Sequence, residues 1–203
     1  MANIVAGEQY YKLDGQLLEI KRQLRQEGGY PFDLEMIKDH LQAAIEGKFQ
    51  VFSPNWQTWK TIQLGTGLKN ADEFRQVLKA GGFKIGDWGN DILGRPDFTI
   101  ASEPTEVKLV RVTVAELGFK KGACRRDISK RALELLGLEL CPNEAGPQLR
   151  LQYKDQSNNE WLLIAMQPIA GSGGYPGVFG VERDDDGLWL DADYGGPGGF
   201  WPA

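Results

Sequence analysis

The residue types that perform most nucleophilic and metal chemistry are sparse in this chain of 203 residues. Its single histidine, His40, lies in the middle of a predicted helix and far in sequence from both cysteines, Cys124 and Cys141. A Ser-His-Asp or Cys-His site needs an imidazole beside its nucleophile, so this arrangement does not favour one. The cysteines have no CxxC spacing and no histidine cluster nearby, which argues against structural zinc and against a disulfide framework.

Motifs that bind phosphate or metal are equally poorly represented. The chain contains no HExxH, no GxxxxGK[ST] and no GxGxxG after a strand, and Gly65-Thr66-Gly67 is too short for a phosphate cradle. We therefore assign no catalytic residue, no metal ligand and no cofactor. Whether the protein is an enzyme is left open by the sequence, with the balance against it.

Carboxylates are the remaining enzymatic option. Glu116, Glu139 and Glu144 flank a predicted helix, and Asp87 and Asp91 lie four residues apart on a possible helical turn. Acid–base catalysis also needs a pocket and a shifted pKa, neither of which a sequence displays.

Three consecutive aspartates, Asp184 to Asp186, precede Gly187 and suggest either a turn or a calcium site. Calcium loops space their carboxylates at alternate positions, whereas Asp-Gly between two strand patterns is a strong hairpin signal. The sequence favours the turn over a weak divalent-cation site.

One segment concentrates positive charge. Over residues 120–131 the cations are Lys120, Lys121, Arg125, Arg126, Lys130 and Arg131, against the single acid Asp127. They fall in or just before the first turns of a predicted helix, where they could contact phosphates. The alternatives are a solvated helix face, a nucleic-acid or other polyanion site, and a contact with a protein partner.

Composition indicates an ordinary soluble protein, with 41% apolar and 25% charged residues. A net charge of −5 argues against a protein that binds nucleic acid over its whole surface. We find no secretory signal and no apolar run near the ~20 residues of a membrane helix. Together with two unpaired thiols, this predicts a cytoplasmic location without membrane contact.

The N-terminus has the clearest helical pattern. One apolar stripe steps by three and four residues through Tyr10, Leu13, Leu17, Ile20 and Leu24, in a helix predicted over residues 7–27. A second helix follows Asp33 and ends near Gly47, so the two form a predicted helical hairpin. The stripe packs on the rest of the chain, contacts a partner or second copy, or belongs to a DNA-reading helix-turn-helix.

Residues 49–102 read as a small αβ connector. A strand is predicted over Trp59–Gly65, and Asn70 with Glu73 forms a capping box that opens a helix. A short extended piece at Phe83–Ile85 and a helical turn within Gly86–Leu93 complete the connector.

Residues 103–203 predict an antiparallel sheet with one packed helix. A strand runs from Val107 to Val114 and a helix from Arg125 to Leu136. The apolar run Glu160–Ile169 has two apolar faces, which predicts the central strand of the sheet. The other predicted strands are Leu149–Tyr153, Val178–Arg183 and Leu188–Ala192.

Two glycine-rich loops, Ala170–Gly177 and Tyr194–Gly199, follow these strands. Their aromatic residues, together with those just after them, either frame a ligand cleft or fold back on the core. These residues are Tyr175, Tyr194, Phe200 and Trp201.

Several segments resemble known sequences. The opening GEQYYKLDGQLLEIKRQLRQEGGYPFDLEMIKDHLQAAIEGKF is similar to an N-terminal module of uncharacterised bacterial proteins. The later VTVAELGF, GLELCPNEAGPQLRLQY and EWLLIAMQPI resemble a companion segment of conserved hypothetical proteins. The resemblance implies separable modules and carries over no activity and no catalytic residue. It also implies that similar chains continue past the position of Trp201.

Together these patterns predict an α+β protein in three parts: a helical hairpin over 1–48, an αβ connector over 49–102 and an antiparallel α+β domain over 103–203. The leading hypothesis for function is a non-enzymatic binding or regulatory module that acts through protein contacts at the stripe. The partner is another protein or a second copy of the chain. Polyanion binding through residues 120–131 is the alternative, and a carboxylate-based enzyme comes after it.

Overall fold

The computed structural model describes residues 8–25, 34–46, 56–134 and 136–203 of the chain. The chain divides into two compact units, Met1–Gln50 and Val51–Ala203. The described residues form six helices and strands that pair mainly antiparallel, which confirms the predicted α+β class. None of the described helices has the length and apolar character needed to cross a membrane.

The first unit contains two helices, α1 (Glu8–Gln23) and α2 (Leu34–Ile45). Both were expected from the periodic apolar residues. The segment Gly28-Gly29-Tyr30-Pro31 between the two predicted helices, the predicted cap Asp33 and Gly47 lie outside the described residues.

The second unit contains nine strands and four helices in its described part. In chain order these are β1 (Lys60–Leu64), α3 (Ala71–Ala80), β2 (Lys84–Ile85), α4 (Asp87–Leu93), β3 (Thr105–Leu109), β4 (Ala123–Cys124), α5 (Arg125–Glu134), α6 (Ala145–Gln152), β5 (Glu160–Leu163), β6 (Ile169–Ala170), β7 (Pro176–Asp184), β8 (Gly187–Tyr194) and β9 (Phe200–Trp201).

The main sheet has the order β2-β8-β7-β5, with β6 also paired to β7. Strand β2 is parallel to β8, and every other pair in this sheet is antiparallel. Two further pairs, β1–β3 and β4–β9, form small two-stranded sheets. Strands from residues 49–102 thus pair with strands from residues 103–203. The division of the chain at residue 102 stays a prediction.

Local signals predicted several elements correctly. Asn70 accepts the Glu73 backbone N–H at 3.0 Å through its side chain, and the Glu73 carboxylate accepts the Lys69 N–H at 2.8 Å. This capping box opens α3 where the sequence placed it. Strand β1, helix α4 and the β7–β8 hairpin also lie in their predicted segments, whereas the strand expected up to Val114 already ends at Leu109.

The prediction that Glu160–Ile169 is the central strand is wrong. Strand β5 covers only Glu160–Leu163, lies at the edge of the sheet and leaves Trp161 51% exposed. The central strands are β7 and β8. Glycine lowers the apolar content of β7, so its sequence does not indicate a central strand. Trp161 fills the space beside Gly180, since a Cβ at Gly180 would lie 3.1 Å from the Trp161 indole nitrogen.

The strand predicted at Leu149–Tyr153 is also wrong, because these residues belong to helix α6 and its C-cap. Residues 149–153 alternate apolar and polar side chains, which is typical of a half-exposed strand. In the structure Arg150 is fully buried, so the alternation does not separate an inner face from an outer one.

Helix α6 is held by buried polar contacts. The Arg150 guanidinium donates to the Gln156 side chain at 2.5 Å, to the Glu182 carbonyl at 3.2 Å and to the Tyr153 carbonyl. It also packs over the Phe83 ring at 5.3 Å. Burial lowers the pKa of Arg150 to about 10, which leaves it charged at neutral pH.

The buried carboxylate of Glu144 supplies a second set of contacts at the start of α6. It accepts the Gly65 N–H at 3.0 Å, the Ala101 N–H at 2.8 Å and the Gln148 side-chain amide at 2.9 Å. One side chain therefore joins the loop after β1, the loop before β3 and α6.

We expect Glu144→Ala to lower the free energy of unfolding by about 3 kcal/mol, because it leaves buried donors without an acceptor. Urea unfolding followed by tryptophan fluorescence measures this difference. Glu103→Ala is the matched control, because Glu103 is exposed, and its effect should stay within about 0.5 kcal/mol. Equal stability of the two variants would contradict a structural role for Glu144.

Candidate functional site

The predicted stripe of α1 lies in the first unit. Leu13 is 54% exposed, whereas Leu17, Ile20 and Leu24 are half-buried. The side chain of Tyr10 lies outside the described residues. Most of the stripe therefore lies on one described helix, with an apolar residue exposed near its start.

Polar residues flank this stripe in an ordered way. Asp14 and Lys21 are both exposed and lie beside the apolar positions. Glu19 and Arg22, further around the helix, pair with each other at 2.7 Å, and this contact lowers the pKa of Glu19 to about 2. The charges of Glu19 and Arg22 are thus compensated within α1.

The thiols and the histidine do not form a catalytic pair within either unit. His40 lies half-buried on α2 in the first unit, whereas both cysteines are free and lie in the second. Cys124 donates to the Asp127 carboxylate at 3.0 Å. Burial raises the pKa of the Cys141 thiol to about 11, which suppresses its thiolate at neutral pH.

We expect the two cysteines to react with a disulfide reagent in separate phases at pH 8. With a pKa of about 11, Cys141 has only about one thiolate in a thousand at that pH. Absorbance after mixing with 5,5′-dithiobis(2-nitrobenzoate) follows both phases. Cys141→Ala should remove the slow phase and Cys124→Ala the fast one, and the reverse assignment would contradict the burial argument.

The predicted basic segment is divided by the fold. Lys120, Lys121, Arg126, Lys130 and Arg131 are exposed, but Arg125 is 8% exposed. The Arg125 guanidinium donates to the Gly195 carbonyl at 2.9 Å and to the Met166 carbonyl at 2.5 Å. Its burial lowers its pKa, and its contacts are structural.

Arg125 and Arg126 should therefore differ sharply on replacement. We expect Arg125→Ala to lower the free energy of unfolding by about 2 kcal/mol, since two buried carbonyls lose their donor. Arg126→Ala should change it by no more than about 0.5 kcal/mol, because that side chain is exposed. Thermal and urea unfolding of both variants measure the effect, and equal stability would contradict the assigned role of Arg125.

The three aspartates form the expected hairpin turn. The Asp184 carboxylate accepts the N–H groups of Asp186 and Gly187 at 2.9 and 3.0 Å and the Trp189 indole N–H at 2.9 Å. The Trp189 contact is the main cause of a lowered Asp184 pKa. Among the described residues, no group of three or more His, Cys, Asp and Glu side chains could hold a metal ion.

The acids that flank the predicted helix at 125–136 do not converge. Glu144 is buried in its amide cluster, and Glu116 accepts the Thr113 N–H and hydroxyl at 2.6 and 2.9 Å. These bonds lower the pKa of Glu116. Glu139 is exposed. Each of these three carboxylates thus has different surroundings.

Asp87 and Asp91 lie in a groove that the sequence did not predict as a unit. It has a volume of about 510 Å³ and lies between α4, the loop after β6 and the start of β7. Its lining includes Asp87, Trp88, Asp91, Ser172, Tyr175 and Ala192. Of these residues, Asp87, Asp91 and Tyr175 were separate candidates from the sequence, whereas Trp88 and Ser172 were not.

The position of α4 follows from glycines and one aspartate on β8. Asp191 accepts the Gly89 N–H at 3.2 Å, and Gly86 donates to the Leu190 carbonyl at 3.0 Å. A Cβ at Gly86 would lie 2.2 Å from the Asp191 carboxylate. Only residues without a side chain let α4 approach the strand this closely.

The other predicted cleft aromatics lie elsewhere in the second unit. Tyr194 ends β8 and packs against Gly196 and Gly199, and Phe200 lies against Gly122. Trp201 lies under the Arg125 guanidinium at 5.9 Å. Of the four aromatics, only Tyr175 lines the groove.

Comparison with known proteins adds no assignment. No protein-family model, curated protein or solved structure matches the chain.

Proposed function

We propose that this protein is a non-enzymatic intracellular binding module that acts through protein contacts, and that its partner is a second copy of the chain. The contact surface is the stripe of α1. The observation that carries the proposal is the alternation of three- and four-residue steps along a helix on which Leu13 is 54% exposed. This is the spacing of residues that form the seam between paired helices.

Charge placement supports an antiparallel pair. In a heptad that begins at Tyr10, Asp14 and Lys21 both take the e position beside the seam. Parallel helices place e opposite g, where this helix has Gln16 and Gln23. Antiparallel helices place e opposite e, so Asp14 of each copy faces Lys21 of the other.

The same register produces a consistent apolar seam. With Asp14 opposite Lys21, Leu13 faces Leu24 of the second copy and Leu17 faces Ile20. Gln16 then faces Gln23 on the remaining flank. The four aliphatic residues of the stripe thus face one another in pairs, which supports self-association over an unrelated partner.

A charge exchange tests this register. We expect Lys21→Asp to weaken dimerisation about tenfold, because two like-charge contacts replace two attractive ones. The double variant Asp14→Lys with Lys21→Asp should recover wild-type association. Sedimentation equilibrium of the full chain over about 1 to 500 μM measures the dissociation constants.

Two control variants make the result specific. Arg25→Asp changes the net charge by the same amount at an exposed position outside the seam, and should leave association unchanged. Leu17→Ser with Ile20→Ser should abolish association while the second unit remains folded by circular dichroism. A monomeric wild type, or a double charge variant that does not recover, would contradict the proposal.

Polyanion binding through the basic segment is the second candidate, supported by the five exposed cations between Lys120 and Arg131. Arg125 takes no part in it, because its guanidinium is buried. Gel filtration with mixed cellular nucleic acid at low and moderate salt distinguishes this function, since phosphate contacts weaken steeply with salt. Arg126→Glu with Lys130→Glu is the suitable variant.

A further inference from the structure

The groove beside α4 combines two features that folding alone does not explain. Trp88 is 63% exposed and Tyr175 is 74% exposed, although both are large aromatic side chains. Both line the same groove as the carboxylates of Asp87 and Asp91. Exposed aromatic residues collected in one concave site indicate a binding surface.

The wall opposite α4 is fixed without a ligand. Asp91 accepts the Ser172 N–H at 2.7 Å and the Ser172 hydroxyl at 3.1 Å, which ties the loop to the helix. Within the loop, Gly171 donates to the Tyr175 carbonyl and Gly174 to the Gly171 carbonyl, both at 2.9 Å. The groove is therefore preformed, and a ligand would not have to order it.

The ligand must supply hydrogen-bond donors. Both Ser172 bonds go to Oδ2 of Asp91, and its Oδ1 takes no hydrogen bond from the described part of the chain. Asp87 lies four residues earlier on the same helix, so the two carboxylates share one face. Ionised carboxylates only accept hydrogen bonds, so they select donors.

The groove also lacks positive charge of its own. Its described lining contains no lysine, arginine or histidine. Arg75 contacts the lining residue Asn90 at 2.6 Å, but it is paired with Asp72 at 2.7 Å. The negative charge of the groove is thus not compensated from its own lining.

From this charge pattern we propose that the groove binds a small organic dication, such as an aliphatic diamine. Aromatic faces attract an ammonium group through the ring quadrupole, and a carboxylate accepts its N–H donors. Two carboxylates on one face of α4 match two positive charges on one ligand. The volume of about 510 Å³ lies within the range of small-molecule sites.

Isothermal titration of the full chain with 1,4-diaminobutane tests this site, and 1-aminobutane serves as the monocation of equal chain length. We expect the diamine to bind saturably and about tenfold more tightly than the monoamine. In parallel, the Trp88 indole N–H signal in a nitrogen–proton spectrum should shift on titration. Trp88→Phe assigns this signal by removing it.

Matched variants separate a built site from general attraction to an acidic protein. Asp91→Asn retains an oxygen for Ser172 and should weaken diamine binding about tenfold. Asp185→Asn makes the same charge change in the exposed β7–β8 turn and should have no effect. The proposal is wrong if binding is not saturable, if both variants weaken binding equally, or if the monoamine binds as tightly as the diamine.

Discussion

The second unit depends on the burial of charged and polar side chains along helix α6. Arg150 and Glu144 are 0% and 1% exposed, and Gln148 between them is 1% exposed. Burying a charge is costly unless hydrogen bonds replace the lost water. Here those bonds extend outward from α6 to β7, to the loop after β1 and to the loop before β3. The hydrogen bonds that the buried polar side chains of this helix and its N-cap require therefore hold segments that are distant in sequence.

The elements that the sequence predicted correctly are those that do not depend on such long-range hydrogen bonds. The Asn70 cap and the Asp-Gly turn are local, because their hydrogen bonds join residues at most five apart. Their signals are therefore complete within a short window. Helix α6 was not predicted from its local sequence. The alternation of apolar and polar residues around Arg150 indicates a half-exposed strand only if the charged residues are exposed. Arg150 is buried instead. Its hydrogen-bond acceptors lie up to 39 residues away in sequence, so a short window does not contain them.

The centre of the sheet was misplaced for a related reason. The hydrophobicity of one strand contains no information about the side chains that neighbouring elements pack against it. Gly177 and Gly180 make β7 appear weak, yet Ile92 and Trp161 occupy the space above them. Strand β5 appears strong because it carries Trp161, but that side chain covers the neighbouring strand from an edge position. Large residues on one strand and glycines on the next are two halves of one packing arrangement.

The groove illustrates the limit of sequence reasoning about sites. Its carboxylates come from α4, its loop from residues 171–175 and one lining residue, Ala192, from β8, so more than a hundred residues separate Asp87 from Ala192. Each contribution is unremarkable alone, and only the close approach that Gly86 and Gly89 allow brings them together. The α1 stripe is the opposite case, since four of its five residues lie within one helix and its pattern is complete in a short window of the sequence.

The two proposed surfaces also differ in the force that would drive binding. A seam of leucine and isoleucine gains from removing apolar area from water, and salt affects it little. A contact between carboxylates and an ammonium group in an open groove is screened within about 10 Å at 0.1 M salt. Ionic strength therefore distinguishes the surfaces without any mutation. Because the stripe lies in Met1–Gln50 and the groove in Val51–Ala203, each surface is built entirely within one compact unit.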